Sequence, residues 1–500
     1  MKKLFLLASL FAFTSILKSQ ELKIPLDTLI ETNHSVTIGN ENVNYKATAG
    51  MQPFWNKEGK VIATLSYTYY KRTNGKVVAE RPILFSFNGG PGSASVWMHL
   101  AYTGPKVLNI DDEGYPVQPY GYKDNPYSIL DVADIVYIDP VNTGYSRMIA
   151  DKEGKMPDKK LFFGVNADVK YLAEWMNTFV TRTSRWESPK YIIGESYGGT
   201  RVMGLAAELQ DNQWMYLNGV IMVSPADYRV IRSGSPIGDA LYLPYFTATA
   251  WYHGLLPAEM QSKDLLEILP EVEAYSINTL MPALAKGAMI TAEEKEAVAT
   301  KIAYYSGMSK TVVLQHHLRV PNSFFWKELL RSESGQTIGR LDSRYLGIDK
   351  FESGERTDYN PELSSWLHSF TPAINHYIKK ELQFVTDIKY NVFGDVSPWD
   401  FSRDNVREGL RSAMAQNPYL HVLAQSGYYD GATTYFSAKY TLSQIDPSGK
   451  MKDRLSFKGY RSGHMMYLRK EDLIQSNDDL REFIKESAAK GKSAKYERKK

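Results

Sequence analysis

Between residues 35 and 72 polar and apolar side chains alternate, most clearly in KVIATLSYTYY (60–70), the period-two pattern of a sheet with one face on a core. The stretch predicts a β-hairpin. After it the pattern changes. ILFSF (83–87), DIVYI (134–138), YIIG (191–194) and GVIMV (219–223) are short unbroken apolar runs, rich in β-branched and aromatic residues. Such runs suit strands buried on both faces.

Helical spacing fills the gaps. In 166–180, Val169, Leu172, Ala173, Met176 and Phe179 or Val180 recur at three- and four-residue intervals, and Val202, Leu205, Ala206 and Leu209 repeat that spacing. Strand–helix alternation predicts an α/β fold, with a mostly parallel central sheet and helices on both faces. From about 228 to 390 the rhythm is lost among amphipathic helices (TAEEKEAVATKIAYYSGM, 291–308), prolines and aromatics. This segment reads as a large, mainly helical cap insertion. The rhythm resumes at YLHVLAQSG (419–427) and ends in a helix near 470–486. The expected division is a core in two parts, 21–227 and 391–486, the cap at 228–390, and terminal segments at 1–20 and 487–500.

The terminal segments change the picture through charge. Residues 1–20 carry Lys2 and Lys3 ahead of a short apolar run, which reads as a secretory signal peptide rather than a membrane span. Beyond it no window approaches a span, so the mature chain is expected to have none. The net charge of +3 conceals a tail at 485–500 with seven basic and two acidic residues. That is a solvated end, not a nucleic-acid face, and no nucleic-acid partner is expected. The absence of cysteine excludes disulfides, thiolate metal sites and a cysteine nucleophile. Export without cysteine points to a bacterial envelope, periplasmic or extracellular. Oligomeric state is not legible.

Candidate chemistry centres on Ser196. In YIIGESYGG a strand stops and a helix starts within two residues, and Gly194 and Gly198 relieve the crowding of so sharp a turn. This is a nucleophile elbow of the α/β-hydrolase kind. In that chain order an acid and then a histidine follow. His464, in a loop opened by Gly463, is the sole histidine near the C-terminal end. Asp430 follows a strand and is the acid candidate, although it could simply cap a helix; Asp446 and Asp453 compete. The Gly-rich loop FNGGPGSASVW (87–97) follows strand ILFSF. The Gly90 and Tyr197 N–H groups could bind an oxyanion.

FNGGPGSASVW, IDPVNTGYSR (138–147), GESYGG (194–199) and GHMMY (463–467) occur in the order and spacing of the serine carboxypeptidase family, and the chain resembles it over about 40–225 and 415–470. The resemblance implies a Ser196–His464–Asp430 triad. It also implies that Asn88, Gly89 and Glu195 bind the free C-terminal carboxylate of a peptide substrate, without metal or organic cofactor. Glu195 must then be protonated, because two bare carboxylates in contact repel; a preference for acidic pH follows. Three departures stand out: Phe85-Ser86-Phe87 where tryptophan is frequent, Ser93 at a cysteine position, and Tyr102 where a supporting glutamate is usual. The Tyr102 phenol could hydrogen-bond Glu195 in its place. Met465 and Tyr467 could face the leaving residue or belong to the core. Other acyl chemistry on this fold (esterase, acyltransferase, aminopeptidase) and a non-catalytic binding protein are the alternatives.

Overall fold

The computed structural model describes residues 22–75, 80–227, 234–402, 405–488, 491 and 493–496. The segment read as a signal peptide and much of the basic tail lie outside the described residues, as does the expected start of the insertion. Ten strands form one sheet: β1 (Thr28–Ile38), β2 (Glu41–Trp55), β3 (Val61–Arg72), β4 (Ile83–Phe87), β5 (Asp134–Ile138), β6 (Arg147–Met148), β7 (Lys190–Glu195), β8 (Gly219–Val223), β9 (His421–Gly427) and β10 (Leu455–Tyr460). Their order is β1–β2–β3–β5–β4–β7–β8–β9–β10, with β6 paired to β3.

β1, β2 and β3 pair antiparallel, as do β3 and β5; every pairing from β5 to β10 is parallel. The expected hairpin is β2–β3. The first seven residues of β1 (28–34) went unread because most of their side chains are exposed, so no apolar alternation marks them. In the parallel half, successive residues alternate between two apolar layers. Ile193, Ile221 and Leu423 face one layer; Ile192, Val220 and Val422 face the other. Each such side chain removed from water contributes about 1.5–3 kcal/mol.

Helices Val165–Arg182, Tyr197–Gln213 and Val406–Gln416 cover one face. Val96–Ala101, Pro361–Lys380 and Lys470–Ser487 cover the other. Within 228–390 two packings occur. Helices between Pro236 and Ser334 gather their own apolar cluster, with Phe246 stacked on Phe325 at 4.1 Å. Helix Pro361–Lys380 instead packs into the sheet's core, where Phe370 meets Trp97 edge-on at 4.6 Å. No helix among the described residues is long and apolar enough to cross a membrane.

Parallel pairing brings the C-terminal ends of β4, β7, β8, β9 and β10 to one edge. β4 runs between β5 and β7, so the strand order reverses there. The crevice at such a switch point is where open α/β sheets bind ligands.

Candidate active site

At the end of β7 the chain turns sharply at Ser196, with φ +60° and ψ −124°. For a residue with a Cβ this backbone costs about 1–3 kcal/mol and persists only where its surroundings impose it. Here they do. Ser196 N donates to Val223 O at 2.9 Å, and Ser196 O accepts from Gly199 N at 2.9 Å and Ala226 N at 3.0 Å. Glycine is required beside it: a Cβ on Gly194 would lie 2.0 Å from Gly198 O, and one on Gly199 2.6 Å from Pro225. The serine hydroxyl makes no cap hydrogen bond to the helix it starts. It faces a cleft of about 620 Å³ that His464, Asn88 and Glu195 also line.

His464 follows β10. Its Nδ1 lies 2.7 Å from Asp430 Oδ2, and both side chains are buried. Asp430 Oδ1 accepts from the amides of Ala432 (2.8 Å) and Thr433 (3.0 Å), and the Thr433 hydroxyl sits 2.7 Å from Oδ2. Asp430 is not a helix cap: the next helix starts at Tyr435 after Thr434. The competitors are elsewhere. Asp446 closes a turn with Ser448 and Met451, and Asp453 precedes β10 at the far end of that strand. Burial opposes a charged His464, but Asp430 and then Glu195 outweigh it, so the imidazole pKa is raised above 6.5.

Glu195 is buried directly against the elbow. Tyr467 donates its phenol to Oε1 at 2.7 Å, and Asn88 Nδ2 donates to Oε2. Desolvation pushes this carboxyl up to about 7, against the opposing pull of His464, Tyr467 and Asn88. The expected Tyr102 contact is not made. The Tyr102 hydroxyl donates to Gln425 Oε1 at 2.8 Å, inside a buried network reaching Tyr460 and Asp479. Its ring stacks on Tyr467 at 4.7 Å, so it supports the phenol that does reach Glu195. Met465 lines the cleft.

Gly89 must be glycine, because a Cβ there would sit 2.6 Å from Tyr197 N and 2.9 Å from Ser196 Cβ. The Gly-rich loop therefore lies on the first turn of the helix Tyr197–Gln213. Two anchors of this arrangement escaped the sequence reading. Arg201, fully buried, donates to Asn88 O at 2.5 Å and pairs with buried Asp168 at 2.7 Å, pinning the loop from behind. Residues 340–342 supply the second. Leu341 O accepts from His464 N at 2.6 Å, Arg340 O from Gly431 N at 3.0 Å, and Asp342 Oδ2 from Gly463 N at 3.1 Å. The segment 340–342 thus holds the loops that carry Asp430 and His464. Arg201 could have been suspected from its place on the apolar face of the helix, beside Val202 and Leu205; nothing in the sequence links 340–342 to 430 and 464. Among the described residues no group of three or more His, Asp or Glu side chains could hold a metal ion.

The family model described as Serine carboxypeptidase matches residues 40–454. The chain belongs to the serine carboxypeptidase family. Serine carboxypeptidase-like 13 of Arabidopsis thaliana is 29% identical over 160 residues, 31% of this chain and 35% of that protein. Pheromone-processing carboxypeptidase KEX1 of Saccharomyces cerevisiae is 29% identical over 162 residues, 31% of this chain and 21% of that one. These alignments span about a third or less of the relatives' lengths. The crystal structure of KEX1(delta)p, a prohormone-processing carboxypeptidase from Saccharomyces cerevisiae, superposes with a TM-score of 0.50 at 15% identity, over 88% of this chain and 92% of that one. The α/β-hydrolase fold is shared. The family resembled by the four motifs is the family found.

Proposed function

We propose that this protein is an exported serine-type carboxypeptidase that removes C-terminal residues from peptides. The observation that carries the reading is Glu195: a buried carboxyl, hydrogen-bonded by Asn88 and Tyr467, raised to about 7, and adjacent to Ser196. A neutral carboxyl can donate a hydrogen bond to a substrate carboxylate; an ionised one repels it. Asn88 and Gly89 complete that carboxylate site.

In the chemical step Ser196 Oγ attacks the last peptide carbonyl while its proton passes to His464 Nε2. Asp430 holds the imidazole in the tautomer with the proton on Nδ1 and stabilises the imidazolium that forms. The amides of Gly90 and Tyr197 receive the oxyanion, a role in which one donor typically contributes 10²–10³ in rate. Collapse returns the His464 proton to the leaving amine and breaks the C–N bond. Water, deprotonated by the same imidazole, then attacks the acyl-enzyme and frees Ser196. In this reading the 228–390 segment is a cap over the cleft. The signal peptide at 1–20 directs export to the periplasm or the exterior.

Two protonation states must coincide, a neutral Glu195 and a neutral His464. They titrate against each other: a charged His464 lowers Glu195, and a charged Glu195 raises His464. Mass spectrometry of a free-acid peptide should show loss of single residues from the C-terminal end; shortening from the N-terminal end would support an aminopeptidase instead. Across a pH series kcat/KM should fall as pH rises through about 7, as Glu195 ionises. It should fall again on the acid side as His464 protonates. Glu195→Gln cannot ionise, so its high-pH fall should vanish. A high-pH limb unchanged in that variant would sink the carboxyl–carboxylate pairing.

A further inference from the structure

Among the described residues lining the cleft, Arg340 supplies the one Lys or Arg side chain. The other charged groups there are answered or neutral: Asp227 lies 3.6 Å from Arg407, Asp395 lies 3.9 Å from Lys159, and Glu195 is held by Tyr467 and Asn88. Arg340 is solvent-exposed and makes no ion pair with any described residue, although its charge is felt at the Glu362 carboxyl and the His464 imidazole, lowering the pKa of each. Exposed arginines are commonly just solvated. This one differs in how its backbone is fixed. Its carbonyl accepts from Gly431 N at 3.0 Å, and the next carbonyl, of Leu341, accepts from His464 N at 2.6 Å. The amide of Leu341 in turn donates to the buried Glu362 carboxylate at 2.8 Å. The guanidinium is therefore carried on a strap bonded to the two loops that present Asp430 and His464. Arg340 lines the same cleft as Ser196, which a peptide must enter to react.

We propose that Arg340 makes the enzyme selective for peptides with an acidic side chain on one of the two residues joined by the scissile bond, the guanidinium pairing with that carboxylate. A peptide filling the cleft excludes water, so the pair gains more than it would on an open surface. The planar fork of arginine suits two-point contact with a carboxylate. Leaving the group unpaired in the empty cleft costs little, because water solvates it. The inference rests on the carboxypeptidase reading.

The test compares free-acid peptides that differ only as glutamate or glutamine, at the last residue in one pair and the penultimate residue in another. At low salt the wild-type kcat/KM ratio should favour glutamate by about five- to tenfold at one of the two positions. The position that responds identifies the subsite. High salt should shrink the ratio, since the pair is partly screened. Arg340→Gln should bring the ratio near one, and Arg340→Glu should take it below one. Because each ratio is taken within a single variant, any general loss of stability cancels. A wild-type ratio near one at both positions overturns the proposal, and so does an unaltered ratio in the variants. If instead Arg340→Gln abolishes discrimination between free-acid and amidated peptides, Arg340 holds the terminal carboxylate itself and the proposal also fails. Absence of turnover on every free-acid peptide would refute the carboxypeptidase reading, and this inference with it. Turnover without glutamate preference refutes the Arg340 role alone.

Discussion

Ser196→Ala should lower kcat/KM on free-acid peptides by about 10⁴-fold or more. The hydroxyl is the only atom group lost, and it contributes nothing to the elbow's own bonding. The turn is held by backbone bonds from Ser196 N and O and by the close approaches of Gly194 and Gly199, and the side chain caps no helix. The variant should therefore melt with the wild type while losing its nucleophile. What remains is the oxyanion amides and the carboxylate site, which bind but form no acyl-enzyme. Stopped activity in a folded variant, checked by calorimetry and by loss of fluorophosphonate labelling, is the expected outcome. Retained peptide release would remove Ser196 from the mechanism.

Asp430→Asn should lower kcat by about 10⁴-fold, a loss far beyond that of one hydrogen bond. Asp430 is fully buried and accepts at both oxygens, from two backbone amides at one and from His464 Nδ1 at the other. An asparagine can keep the two amide bonds through its carbonyl oxygen. Its NH₂ would then face Nδ1 and donate to it. That moves the imidazole proton to Nε2, where the base should be empty, and removes the charge that stabilises the imidazolium. The geometry survives and the chemistry does not. Asp446→Asn, in a turn remote from His464, should leave the rate at the wild-type level. A loss of rate in that variant with none in Asp430→Asn would reverse the assignment of the acid.

Local patterns were legible where a residue's neighbours in sequence are also its neighbours in space. The buried strands declared themselves as apolar runs, and the elbow as glycines around Ser196. Asp430 and His464 could be ordered along the chain because each follows its own strand. What stayed hidden depends on contacts between distant segments. Tyr467 reaches Glu195 across 272 residues of chain, and the 340–342 strap reaches 431 and 463–464 from a segment with no strand rhythm. Tyr102 illustrates the limit well. Its place in the chain suggested a partner for Glu195, but the fold sets the phenol against Gln425 instead and leaves its ring to brace Tyr467. The 228–390 segment resisted reading for a different reason: most of its helices between Pro236 and Ser334 pack on one another, so their apolar stripes carry little information about the sheet.

The central claim is that a neutral Glu195, beside Ser196, recognises a free terminal carboxylate. It is tested most directly by kcat/KM for one peptide as the free acid and as its C-terminal amide. Removing one partner from a buried, hydrogen-bonded charge contact costs about 2–5 kcal/mol, so the free acid should be favoured by about 30-fold or more. A ratio near one would contradict the account and return the protein to the wider class of α/β-hydrolases.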